Sequence, residues 1–118
     1  MRNTGRFADT FGGYDMAGND NSFVYVGKKP LMAYVLAAVM QINTDSREVI
    51  IRARGQAISR AVDVAEILRN KFVRNAKVKD IRIATETLAR DDGTPSNVSA
   101  IEIVLVRMDE RPPAAPKA

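Results

Sequence analysis

The chain has 118 residues with 18 Lys and Arg against 14 Asp and Glu, a net charge of +4, and neither His nor Cys. Without imidazole or thiol there is no His general base, no Ser-His triad, no thiolate nucleophile, no disulfide and no His- or Cys-bound metal. At 46% hydrophobic and 6% aromatic with no Trp, the length builds one aliphatic core, small enough that a dimer or larger assembly is expected.

Residues 1–22 hold four of the seven glycines among Asn, Asp, Ser and Thr. That is too little apolar surface to offset the entropy of ordering, so they are read as a flexible N-terminal tail. The tail carries Arg2 and Arg6 against Asp9, Asp15 and Asp20, whereas residues 23–107 carry 14 basic and 9 acidic groups. The basic excess therefore belongs to the folded part. Phe7, Phe11 and Tyr14 beside two arginines have base-stacking chemistry, but stray aromatics in a disordered arm account for them more simply. Met16 offers a second start. No apolar stretch follows Arg2 and Arg6, so no secretory leader is expected. The longest apolar run, Leu31 to Met40 with only the Tyr34 hydroxyl inside it, falls short of the ~20 residues that cross a bilayer. The expected compartment is the cytosol, with no membrane partner.

Phe23 to Val26 is a short β-rich run stopped by Gly27, and Pro30 then stands where a first helical residue tolerates a missing N–H. A first helix follows over Leu31–Ile42, apolar nearly all round, which calls for cover by the sheet on one side and another subunit on the other. Glu48–Arg54 alternates, with Val49, Ile51 and Ala53 on one face and Ile50, Arg52 and Arg54 on the other, the period of a strand. After Gly55, the residues Ile58, Ala61, Val62, Ala65, Leu68 and Phe72 recur at the spacing of a second, amphipathic helix. Val78–Leu88 and Val98–Arg107 are β-rich and flank the turn residues Asp91-Asp92-Gly93, which makes a long hairpin. Pro112, Pro113 and Pro116 stop the fold near Arg107, leaving residues 108–118 as a flexible C-terminal tail. The order β-α-β-α-β-β with right-handed crossovers predicts an α/β, two-layer α+β sandwich. Its mixed four-stranded sheet has both helices on one face.

Two strand-to-helix junctions carry the functional signal. Lys28 and Lys29 sit at the start of the first helix and oppose its dipole by roughly a few tenths of a kcal/mol each. That arrangement makes better sense if an anion sits between them and the free N–H groups. Arg52-Ala53-Arg54-Gly55-Gln56, with Arg60 one turn on, repeats the device. Arginine forks two residues apart on a strand, roughly 7 Å, match successive phosphates. Singly, each junction is an ordinary solvated turn, with Glu48 or Asp63 as partners for the arginines. Together, Lys28, Lys29, Arg52, Arg54 and Arg60 point to a nucleic-acid surface. The spacing is not that of an NTPase phosphate loop. Asp63 and Glu66, with Asp91 and Asp92, would have to hold Mg²⁺ in a nuclease. Helical pairing with Arg60 and Arg69, each three residues away, explains the first two more simply, so no catalytic residue, metal or cofactor is expected. Phe72, beside Arg69, Asn70 and Lys71, either caps the core or projects as an interface anchor.

Val26-Gly27-Lys28-Lys29-Pro30, then Arg52-Ala53-Arg54-Gly55-Gln56-Ala57-Ile58, and Ile101-Glu102-Ile103 closing the hairpin resemble the Alba family of archaeal chromatin proteins over about residues 23–107. The resemblance implies a β-α-β-α-β-β fold and a homodimer. Such a dimer binds double-stranded DNA, and often RNA, with little sequence preference, and coats and condenses DNA by dimer-dimer association. It implies backbone contacts by Lys28 and Lys29, with Lys28 at the position whose acetylation weakens DNA binding, and hence an acetyltransferase, a deacetylase or a paralogue among the partners. Arg54 matches a central basic contact, Arg60 a further basic position, and Phe72, flanked by Arg69 and Asn70, the aromatic of dimer-dimer packing. Gln56 stands where many members carry another basic residue, which should weaken affinity. Family hairpins reach toward the minor groove as two arms; here the tip reads Gly93-Thr94-Pro95-Ser96-Asn97, with Arg90 the only basic side chain near it and Asn97 a polar contact. The implied location is the cytoplasm, on the chromosome. The competing reading is an RNA-binding subunit of a ribonucleoprotein, of the RNase P or mRNA-associated kind, which uses the same basic face on structured RNA.

Overall fold

Phe23–Tyr25 forms a first short strand, β1, and the chain turns at Gly27 and enters a helix, α1, over Leu31–Ile42. Pro30 sits just ahead of it in an extended conformation. The strand β2 covers Glu48–Arg54, as the alternation predicts. A tight 3₁₀ turn at Gly55–Ala57 leads into α2, Ile58–Ile67, which ends in one widened π turn at Leu68–Phe72. The hairpin is longer than its sequence signal: β3 runs Ala76–Ala89 and β4 Pro95–Arg107, so Pro95 and Asn97 lie in a strand and not in the tip. This computed structural model describes residues 22–108. The tail residues before and after them, with Arg2, Arg6, Phe7, Phe11, Tyr14 and Met16, lie outside the described residues.

The sheet order is β1-β2-β4-β3, with β1 parallel to β2 and the other neighbours antiparallel. The result is the predicted α+β sandwich. Val49, Ile51 and Ala53 of β2 and Ile103 and Leu105 of β4 meet Val35, Ala38 and Ile42 of α1 and Ala61, Val64, Ala65 and Leu68 of α2. The α2 face is thus a clean i, i+3, i+4, i+7 row, and Val62, expected in it, is 42% exposed because it falls one residue off that row. At the other end of α1, Arg107 Nε donates to the Ile42 carbonyl at 3.2 Å, a cation on a helix C-terminus whose carbonyls lack intrahelical partners.

The pairing of β2 with β4 ends at Arg54 and Ala100, whereas β3 and β4 remain paired to Ala89 and Pro95. Five residue pairs therefore project beyond the body as a two-stranded ribbon. Its turn is built locally: Gly93 adopts φ +89°, and the Thr94 hydroxyl and N–H both donate to the Asp92 carboxylate, at 2.7 and 3.0 Å. These bonds, the hydroxyl first, hold the Asp92 carboxyl below its ordinary pKa. Because the folded value is depressed, the contribution to the turn is present at neutral pH and fades as pH falls through it. Acid titration followed by NMR should show the Thr94 amide shifting with Asp92 protonation, and an amide indifferent to that step would show the turn does not depend on the charge. Among the described residues no helix is long and apolar enough to cross a membrane.

Candidate nucleic-acid interface

The two junctions leave the sheet side by side. Tyr25 is in register with Arg52, and the Val26 N–H donates to the Arg52 carbonyl at 2.8 Å, so the turn after β1 lies next to the turn after β2. Lys28, Lys29, Gly55 and Gln56 are all exposed there. Gly55 opens the second turn with φ +60°, a conformation that L side chains resist.

The first turn is held from behind by two side chains. Lys29 N–H donates to the Tyr34 hydroxyl at 3.0 Å, from inside the first turn of α1. Arg60, on α2, donates from Nε to the Gly27 carbonyl at 3.0 Å and from Nη2 to the Lys29 carbonyl. Arg60 is therefore a positioning residue for the lysine turn, and the predicted pairing with Asp63 is replaced by these two carbonyls. Tyr34 was legible only as the one polar atom in an apolar run; a hydroxyl on a packed helix needs a partner, and the Lys29 backbone is that partner.

Arg52 overturns its assignment as a contact for phosphate. Its side chain is 0% exposed and paired with Glu102, also 0% exposed, through Nε at 2.7 Å and Nη2 at 2.5 Å. The register puts Tyr25, Arg52, Glu102 and Arg82 in one row across all four strands, with Arg52 3.9 Å above the Phe23 ring and Arg82 3.7 Å from the other Glu102 oxygen. The partners proposed from sequence, Glu48 and Asp63, are thus superseded, and Glu48 pairs with Lys79 at 3.0 Å. Arg54 shares that sheet face but stands at its edge, 38% exposed and bonded to the buried Glu86. An arginine fork fixed along one edge is held in a set direction at the rim of the sheet.

The remaining predicted positions are scattered. Arg90 and Asn97 ride on the ribbon, with Thr87 Oγ1 donating to Asn97 Oδ1 at 3.0 Å and Asp91 and Asp92 exposed beside Arg90. On the far end of α2, Glu66 holds Arg69 at 2.7 Å and Asn70 at 3.4 Å, which confirms the Arg69 pairing read from spacing. Phe72 is 45% exposed. The widened turn, closed by the Val73 N–H on the Leu68 carbonyl at 2.8 Å, carries the ring out of the buried row that Leu68 ends. Phe72→Ala is accordingly expected to leave the fold intact; cooperative unfolding at a midpoint lowered as for a core truncation would return the ring to the core. Among the described residues no group of three or more Asp or Glu is placed to hold a metal.

The chain matches known proteins over this same region. The family model for Alba covers residues 22–85. A protein of Methanothrix thermoacetophila named DNA/RNA-binding protein Alba is 59% identical over 86 residues, 73% of this chain and 96% of that protein. One from Archaeoglobus fulgidus, named DNA/RNA-binding protein Alba 1, is 57% identical over 71% of this chain and 93% of that protein. The solved structure of Alba from Thermoplasma volcanium superimposes with a TM-score of 0.68 at 56% identity, covering 72% of this chain and 99% of that one. These relatives carry the names of binding proteins, not of enzymes. With its two-helix, four-stranded sandwich and its paired basic turns, the chain belongs to the Alba family.

Proposed function

We propose that this protein binds nucleic acid through phosphate contacts, with double-stranded DNA as its main ligand and RNA as a second, and that it coats and compacts DNA as a homodimer on the chromosome in the cytoplasm. The observation that carries the reading is the pair of adjacent strand-to-helix turns. Lys28 and Lys29 are exposed on a backbone held rigid by Arg60 and Tyr34, with Arg54 beside them. A preorganised cationic turn loses little entropy on binding a polyanion. Nothing in it reads base edges: the helices behind the turns present backbone and lysine, which give affinity without sequence choice. The names of the relatives, DNA/RNA-binding proteins, support both ligands.

A homodimer is supported by apolar surface on the helix side of the sheet. β3 is an edge strand, and Ile81 and Ile83, in register with the core-side Ile103 and Ile101, are 55% and 78% exposed. They give a second copy an apolar seam. Lys28 is the position we assign to acetylation, by an acetyltransferase opposed by a deacetylase.

The test is fluorescence anisotropy with random-sequence duplex DNA, duplex RNA and a structured RNA, each with unlabelled competitor. Sequence-indifferent preference for duplex DNA is expected. Strong selectivity for structured RNA would replace this reading with the ribonucleoprotein one, and no binding to any of the three would refute both. For single positions, Lys28→Ala is expected to reduce the slope of log affinity against log salt by about one unit per engaged lysine, and an unchanged slope would make Lys28 plain solvated surface.

A further inference from the structure

The end of the molecule remote from the lysine turn carries a second set of cations. Lys77 pairs with Val106, and Val106 with Glu48, the first residue of β2, whereas the lysine turn lies beside the last residues of that strand. The two ends are thus one strand length apart, roughly 20 Å. Over residues 69–79 the chain has five basic side chains, Arg69, Lys71, Arg74, Lys77 and Lys79, and no acidic one. Glu66 takes Arg69 and Glu48 takes Lys79. The side chains of Lys71, Arg74 and Lys77 are exposed and make no hydrogen bond or ion pair among the described residues.

Phe72 stands among these cations with 45% of its surface exposed. The backbone that carries it is fixed. Val73 and Ala76 are both buried, and the Ala76 N–H donates to the Val73 carbonyl at 3.0 Å. Between them Asn75 is tied twice to Met108: its Nδ2 donates to the Met108 carbonyl at 3.0 Å, and its own carbonyl accepts the Met108 N–H at 2.9 Å. The side chains of Lys71 and Arg74 start within roughly 4–7 Å of the Phe72 backbone. A ring and three free cations therefore stand on a rigid turn, which loses little order when a ligand arrives.

We propose that this turn is a second nucleic-acid site, for unpaired nucleotides: a base stacks on Phe72 while Lys71, Arg74 and Lys77 take the neighbouring phosphates. An exposed aromatic face among free cations is what single strands use, and a duplex keeps its bases stacked inside. A second copy of the chain is a poor occupant, because it brings the same cations to the contact and like charges repel there. The widened turn at Leu68–Phe72 is what frees the ring, and such π turns are frequent at functional sites. The site is separate from the lysine turn, so it stands or falls independently of duplex binding.

The test is fluorescence anisotropy of the full chain with a short labelled oligothymidylate, alone and after saturation with unlabelled duplex DNA. Binding is expected to persist beside the duplex. Phe72→Leu keeps the apolar bulk but offers no flat face to a base, and should weaken that binding by roughly tenfold. Lys71→Gln with Arg74→Gln, two exposed positions, should lower its slope of log affinity against log salt by about 0.7 per lost cation. Displacement of the oligonucleotide by duplex would assign its binding to the lysine turn. Equal affinity in Phe72→Leu would remove the stacking, and a fall in oligomeric state at that equal affinity would make the ring an anchor between copies. Competition by polyglutamate as effective as that by unlabelled oligothymidylate would leave a site for any polyanion. Each of these results overturns the proposal.

Discussion

Raising salt from 50 to 200 mM is expected to weaken binding to duplex DNA by about 10³-fold. The figure follows from which cations the fold leaves available. Arg52 is committed to Glu102 and Arg60 to the carbonyls of the lysine turn, and the groups assigned to phosphate in each chain are the exposed Lys28 and Lys29 and the partly exposed Arg54. In a homodimer those groups neutralise about six phosphates, and counterion release then gives a slope of log affinity against log salt of about −5. Gln56, neutral at a position that faces the same turn, adds nothing to that slope. Anisotropy titrations at four or five salt concentrations measure it directly. A slope near zero would remove the phosphate reading altogether, and one near −9 would mean that the buried arginines or the ribbon join the contact.

Glu102→Gln is expected to destabilise the domain by about 3–5 kcal/mol, because it leaves the Arg52 guanidinium buried without its counter-charge. Both partners are fully buried and bonded at 2.7 Å, so water cannot compensate for the loss. Against a typical stability of about 5–15 kcal/mol, that is a large share. Urea unfolding should show a lower midpoint at unchanged slope. Replacing both partners at once, Arg52→Met with Glu102→Leu, should recover most of the loss, since an apolar pair of similar volume costs no desolvation. A Glu102→Gln loss below about 1 kcal/mol would show that the pair is solvated in solution. The same variant should leave the salt slope of DNA binding unchanged, which separates the structural arginine from the contact groups.

The elements were legible because local rules and tertiary packing agree. The alternation over Glu48–Arg54 and the Gly27 and Pro30 signals around α1 gave bounds that the structure repeats. The fate of the charged side chains was not legible in the same way. Period two says that Arg52 and Arg54 share a face, but whether that face meets water depends on Glu102, fifty residues later, and on what covers it. Arg60 shows the same limit: the nearest carboxylate along the helix is Asp63, yet two carbonyls of a turn 31 to 33 residues earlier hold the guanidinium. Phe72 fitted a helical row in the sequence, and one widened turn took it out of that row.

The bonds that shape the lysine turn use its backbone: the Tyr34 hydroxyl takes the Lys29 amide, and Arg60 takes the carbonyls of Gly27 and Lys29. The lysine ammonium groups have no part in that scaffolding. Charge and architecture are therefore separately adjustable at this spot. Neutralising Lys28, as Lys28→Gln does, is expected to turn down affinity as a dial would, with the melting temperature left where it was. Loosening Arg60 instead leaves every lysine charged and spoils their aim.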